Sequence, residues 1–224
     1  MTKKLMVGRV AVGGGAPVSI QSMCNTKTDD VAATVAQIKK LEAAGCEIIR
    51  VAIPDQAAAE AVDKIKEQID IPLIADIHFN YKFALECAER GIDAIRINPG
   101  NIGAEENVKA VADECRRRGI PIRIGINTGS LPEDILAQSG GHPTAEGMVE
   151  GALRHIRILE RMDYRNMVIS LKASDVPLMI EAYERLADKV PYALHLGVTE
   201  AGLVREGSIK SAIGIGTLLH EGIG

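Results

Sequence analysis

The sequence contains no tryptophan and only two phenylalanines and four tyrosines in 224 residues. That scarcity removes the aromatic platforms on which single-stranded nucleic acids stack. A net charge of −4 removes the basic face that a nucleic-acid backbone requires. No apolar run approaches the roughly 20 residues of a membrane span. The charged start Met1-Thr-Lys-Lys leads into a glycine-rich stretch, not into an apolar signal core. Cysteine is sparse: Cys24, Cys46, Cys87 and Cys115, with no CxxC spacing, so no zinc or cluster motif is visible. They read as buried thiols in a reducing compartment. The protein is therefore read as cytoplasmic, binding neither nucleic acid nor membrane.

What is present is an alternation of short β-rich runs and longer helical patterns, which implies a parallel sheet with helices outside it. The predicted strands are Val18–Met23, Glu47–Ile53, Pro72–His78, Ala94–Asn98, Ile122–Asn127, Met167–Lys172 and Ala193–Thr199. Thr28, Asp55, Asn80 and Ser174 are candidate helix caps, and the fifth helix starts near Pro143-Thr144. Gly45, Gly91 and Gly119 stand where helices end. A seventh helix is expected over about Glu206–Glu221. An internal echo supports a repeat: Gly45 precedes Arg50, and Gly91 precedes Arg96, by five residues, and Gly119 precedes Arg123 by four. Seven βα units of this kind predict an α/β TIM (β/α)8-type barrel, one domain over 1–224, stopping after the seventh unit, with strands one and seven as open edges. The segment from Lys4 to Val18 predicts a hairpin turning at Gly13-Gly-Gly15 and capping one barrel end. That glycine run lacks the Lys-Ser/Thr pair of a P-loop. The stretch from Thr128 to Gly147 reads as a long loop, either a lid or plain surface.

Strand parity assigns two faces. Asp76 and His78; Arg96 and Asn98; Arg123, Gly125 and Asn127; Ser170 and Lys172; His195, Gly197 and Thr199 each share a face opposite branched apolar residues. The apolar set must pack on the helices, so the polar set points into the barrel. Barrel interiors are usually apolar, and an unpaired buried cation costs several kcal/mol. Inward Arg, Lys, Asn and Ser at strand ends suit an oxyanion, specifically a small multiply phosphorylated substrate. The competing account is an internal ion-pair network with Asp76, Glu47 and Glu200.

The strand ends resemble one family, the bacterial 4-hydroxy-3-methylbut-2-enyl diphosphate synthases. The matching stretches are GGGAPVSIQSM from Gly13, EIIRVAIP from Glu47, IADIHFN from Ile74 and IRINPGNIG from Ile95. They continue with RIGINTGSL from Arg123, ISLKAS from Ile169, LHLGVTEAG from Leu194 and KSAIGIGTLL from Lys210. The resemblance covers essentially the whole chain; Cys24 departs from it, where the family often has Thr. It implies the substrate 2-C-methyl-D-erythritol 2,4-cyclodiphosphate, opened reductively with loss of water for isoprenoid synthesis. It implies ferredoxin or flavodoxin as electron donor, a homodimer, and a [4Fe-4S] cluster held by three Cys and a Glu in a separate C-terminal domain. By the resemblance Arg50, His78, Arg96, Asn98, Arg123, Asn127, Ser130 and Lys172 hold the diphosphate, and Glu200 is the carboxylate near the reacting carbon. The eighth strand and the cluster ligands are not in this sequence, so this chain alone is expected to bind substrate without reducing it. Two other readings stand beside it: a phosphosugar aldolase or lyase with Lys172 as a Schiff-base lysine, and a non-catalytic fragment. A pterin-type barrel is disfavoured by the few inward aromatics.

Overall fold

The computed structural model describes residues 2–224, except for the side chain of Ser130. An antiparallel hairpin, β1 (Leu5–Val7) and β2 (Val10–Val12), precedes a curled sheet of seven parallel strands. These are β3 (Gln21–Met23), β4 (Ile48–Ala52), β5 (Leu73–Asp76), β6 (Ala94–Ile97), β7 (Ile122–Asn127), β8 (Met167–Lys172) and β9 (Ala193–Leu194), adjacent in chain order. The helices between them are α1 (Val31–Ala43), α2 (Gln56–Glu60), α3 (Val62–Lys66), α4 (Tyr81–Glu89), α5 (Glu105–Arg118), α6 (Glu133–Gln138), α7 (Ala145–Arg161) and α8 (Val176–Ala187). A final helix, α9 (Val204–His220), follows β9. The arrangement is that of a TIM barrel through seven βα units, with β3 and β9 at the two sheet edges.

The main core lies between strands and helices and takes the outward apolar residues, among them Ile49, Val51, Ile95, Ile97, Ile122, Ile124, Ile169 and Leu171. A second, smaller cluster plugs the barrel floor. There Leu5 and Val7 of the hairpin meet Ile48, Ile74, Ala94, Val168 and Ala193, the inward residues at the N-terminal ends of their strands. The interior is thus apolar below and polar above, which raises the functional groups to the C-terminal face.

Several local expectations are corrected. The hairpin turns at Gly8-Arg9, with Gly8 at φ 53°. The tighter two-residue turn matches three-residue strands. Gly13, Gly14 and Gly15 instead turn the chain away from the hairpin at positive φ. Asp30, not Thr28, caps α1 by accepting from Ala33 N–H (3.0 Å). The Thr28 hydroxyl donates to the Ala52 carbonyl (2.6 Å), tying the loop after β3 to β4. Asp175, not Ser174, caps α8, because a carboxylate one residue nearer reaches Leu178 N–H (2.8 Å). Asp55, Asn80 and Thr144 do cap α2, α4 and α7. The expected loop after β7 contains a short 3-10 turn and α6, anchored by buried Leu131 and Ile135. Ile135 packs against Gly147 so closely that a Cβ there would stand 2.9 Å from its Cγ2. β3 and β9 are shorter than predicted.

Candidate functional site

The polar face converges on a cavity of about 200 Å3 at the C-terminal end of the sheet, walled on one side by Met23, Arg50, Asp76, His78 and Arg96. Asn127, Ser170, Lys172 and Thr199 complete it. Sheet register explains the convergence: Arg96 is opposite Arg123, Gly125 opposite Ser170, and Asn127 opposite Lys172. Directly opposed like charges on neighbouring strands disfavour pairing on their own, so the pattern needs a counter-charge.

Asp76 supplies part of it. Its carboxylate is buried, accepts from Arg96 Nη1 (3.1 Å) and lies 3.5 Å from Arg50 Nε. Arg50 also points Nη2 at the thioether sulfur of Met23 (2.7 Å), a weak acceptor that an anion would outcompete. Arg123 is buried; Nη1 donates to Gln21 Oε1 (3.2 Å) and Nε has no partner. Lys172 forms no ion pair among the described residues. Glu47 is exposed and receives Ile20 N–H, and Glu200 is exposed. Among the described residues, the competing network of Asp76, Glu47 and Glu200 therefore reduces to Asp76, one carboxylate among Arg50, Arg96, Arg123 and Lys172.

Burial and mutual repulsion set the electrostatics. Desolvation, then the Arg123, Arg50 and Arg96 charges, lower the Lys172 ammonium to about 7. Desolvation, then the Arg50 and Arg96 charges, lower Arg123 to about 9. Burial lowers Arg50 as well, with Asp76 opposing the shift. His195, on the same inward face, is driven well below the usual imidazole value by burial and the Arg123 and Lys172 charges. Each shift marks a positive charge that burial and neighbouring cations disfavour.

Two glycines give the cations room. A Cβ on Gly125 would stand 2.4 Å from Arg96 Nε, and one on Gly197 would stand 2.9 Å from Lys172 Nζ. Of the remaining predicted residues, His78 is exposed on the rim beside Phe79. Asn98 is buried and does not wall the cavity; its Oδ1 accepts from Gly100 N–H (3.1 Å) and closes the loop after β6. Glu200 follows the wall residue Thr199 with left-handed backbone, φ 49°. The Ser130 side chain lies outside the described residues. Sequence reading did not single out Met23 and Gln21 as site residues. Both share the strand parity of the inward set, so that signal was present, but a thioether and a lone amide do not announce an anion site. The buried α7 residue His155, whose Nδ1 has no partner and whose Nε2 would stand 3.0 Å from a Cβ on Gly100, was also missed.

The cysteines do not fit an iron–sulfur cluster. All four are buried, and burial pushes Cys24 up to about 11 and Cys87 and Cys115 up to about 12, against the thiolate form a cluster requires. Among the described residues no group of three or more His, Cys, Asp or Glu is arranged to hold a metal.

A family model described as the GcpE TIM-barrel domain matches residues 2–224. The chain belongs to this family. It is 57% identical over 223 residues to the 4-hydroxy-3-methylbut-2-en-1-yl diphosphate synthase (flavodoxin) of Azotobacter vinelandii, covering 100% of this chain and 60% of that protein. The protein of the same name from Geobacillus thermodenitrificans is 58% identical, covering 100% and 59%. The chain therefore spans about 60% of the length of these curated relatives. Among solved structures, the dihydropteroate synthase of Thermus thermophilus superposes with a TM-score of 0.68 at 11% identity, covering 99% of this chain and 90% of that one. The 3-dehydroquinate dehydratase of Geobacillus kaustophilus does so at 0.64 and 14% identity, covering 95% and 83%. At such identities these likenesses establish the barrel fold only. Among the described residues no helix is long and apolar enough to cross a membrane.

Proposed function

We propose that this chain is the substrate-binding barrel of a 4-hydroxy-3-methylbut-2-enyl diphosphate synthase, an oxidoreductase of isoprenoid biosynthesis acting on 2-C-methyl-D-erythritol 2,4-cyclodiphosphate. The observation that carries the reading is a charge imbalance: Arg50, Arg96 and Lys172 wall the cavity, Arg123 lies buried close behind them, and among the described residues Asp76 is the one carboxylate that wall contains. Arg96 and Arg123 give forked donors to the diphosphate, Lys172 a point charge, and Arg50 exchanges its thioether contact for a phosphate oxygen. Asn127, Ser130 and His78 complete the anion shell, and Asn98 holds the loop that borders it. Glu200 acts beside the reacting carbon, as a proton donor or by positioning the departing hydroxyl. Reduction draws on a [4Fe-4S] cluster, for which the described residues offer no ligands, and on flavodoxin, the donor in the relatives' name, or ferredoxin. A cytoplasmic homodimer is the assembly this reading entails.

The test is a thermal melt with and without the cyclic diphosphate. Ligand at about a hundred times its Kd adds roughly 2.7 kcal/mol of stability. A shift in the wild type and none in Arg96→Ala/Arg123→Ala supports the reading; equal shifts overturn it.

One observation favours a second reading. A lysine at about 7 has the free amine that Schiff-base chemistry needs. Borohydride trapping of a carbonyl phosphosugar on Lys172 would establish an aldolase or lyase, and absence of an adduct with competent anion binding would exclude it.

A further inference from the structure

The β8–β9 ladder contains a side-chain oxygen. The two strands pair in parallel, Val168 with Ala193 and Ile169 with Leu194, and His195 N–H donates to the Ile169 carbonyl (2.8 Å). The next rung of a parallel ladder would join Leu171 N–H to the His195 carbonyl. The hydroxyl of Tyr183, a fully buried residue of α8, occupies that position. It accepts from Leu171 N–H (2.9 Å) and donates to the His195 carbonyl (2.6 Å). Two ordinary hydrogen bonds meeting at one oxygen separate nitrogen from carbonyl by roughly 4.5 Å, against about 2.9 Å for a direct rung. Among the described residues the direct ladder resumes at Thr199 N–H, which donates to the Ala173 carbonyl (3.2 Å). The opened stretch contains Gly197, and the Lys172 side chain lies across that glycine with no room for one more carbon.

We propose that the Tyr183 hydroxyl is a spacer that holds β9 away from β8 and thereby fixes where the Lys172 ammonium stands at the barrel mouth. Tyr183 is a positioning residue acting through Lys172, and the inference rests on the reading of the mouth as an anion site. Without the hydroxyl, Leu171 and His195 either pair directly, which draws Gly197 onto Lys172, or remain unpaired in the core. The first displaces the ammonium from its place among Arg50, Arg96, Arg123, Asp76, His78 and His195, the charged or titratable groups around it; the second would leave it there and would mean that the ring, not the hydroxyl, sets the spacing.

The first test needs no ligand. Lysine reactivity toward acetic anhydride is read at Lys172 by peptide mass spectrometry across about pH 5 to 10, in wild type and Tyr183→Phe. The wild-type midpoint is expected at about 7. Tyr183→Phe should move it by about half a unit or more, and an unchanged midpoint overturns the proposal. Gly197→Ala serves where Tyr183→Phe does not fold. It leaves the hydroxyl in place and sets a methyl in the lysine's seat, so the midpoint must move; if the methyl is absorbed without effect, the spacing has slack and the proposal fails.

The second test is calorimetric titration with inorganic pyrophosphate. Tyr183→Phe should weaken binding about tenfold in the wild-type background and not at all in Lys172→Met. Equal weakening in both backgrounds would make Tyr183 a general structural residue and overturn the inference. A wild type that does not bind pyrophosphate would overturn the anion-site reading, and the reactivity midpoint alone would then decide the spacer.

Discussion

The guanidinium of Arg96 lies against the backbone of Gly125, with Nη2 3.4 Å from the glycine carbonyl while Nη1 holds Asp76. A strand residue without a side chain is a poor choice for packing, but here it is the only residue that lets an arginine cross β7 and reach the centre of the barrel. Gly125→Ala should therefore push the guanidinium off Asp76. The expected cost is about 1 to 3 kcal/mol in a urea melt, together with loss of the ligand-induced stabilisation. An alanine variant that binds the cyclic diphosphate normally would show that Arg96 can serve from another position.

Arg96 and Arg123 should differ in their effect on the ligand-free protein, although both are proposed to hold the same anion. Removing Arg96 breaks a buried pair and leaves Asp76 undercompensated, so Arg96→Ala should destabilise by about 3 to 5 kcal/mol. Removing Arg123, whose Nε is unpartnered, relieves a desolvated charge. Arg123→Leu should raise apo stability by about 1 to 3 kcal/mol while eliminating pyrophosphate binding. Chemical denaturation of the two single variants checks the sign of each.

Lys172 predicts an alkaline gain in stability. Its folded value of about 7 lies below the roughly 10.4 of an unfolded lysine. Between these values the unfolded chain binds more protons, so stability rises with pH, by at most about 1.4 kcal/mol per unit from this group. Denaturation between about pH 7 and 8.5, below the range where Arg123 contributes, should show the slope in wild type and lose it in Lys172→Met. An anion restores the charged form. At about pH 8, pyrophosphate binding should take up more protons in wild type than in the variant, read calorimetrically in buffers of different ionisation enthalpy.

His155 predicts an acid loss. Burial lowers this imidazole to about 4, against 6.5 for a free histidine. The unfolded chain binds the extra proton between these values, so stability falls as pH drops through that window, by roughly 3 kcal/mol in total. Because His155 packs beneath Gly100, the loop after β6 should open first. Hydrogen exchange of Gly100 and Asn101 at about pH 4.5 against 7 would show it, and His155→Leu should abolish the difference.

Barrel class, the seven strands and most of the inward polar set were legible along the chain. Those features follow from local rules: alternation along a strand, glycines at helix ends, and carboxylates or hydroxyls at helix starts. Arg96, Arg123, Ser170 and Lys172 were all placed by parity alone. Cap identity at Asp30 and Asp175 escaped because two adjacent polar residues satisfy the same pattern, and only the actual turn selects which reaches the amide. Packing in three dimensions settled what counting along the chain could not. It showed that among the described residues Asp76 alone pairs with the inward cations, that Gly125 and Gly197 are seats for Arg96 and Lys172, and that Asn98 serves its own loop. It also placed a helix residue, Tyr183, inside a strand ladder. Most of these are contacts between residues distant in sequence, fixed by sheet register and by the angle at which a helix meets its strands, and neither quantity is encoded in any local pattern.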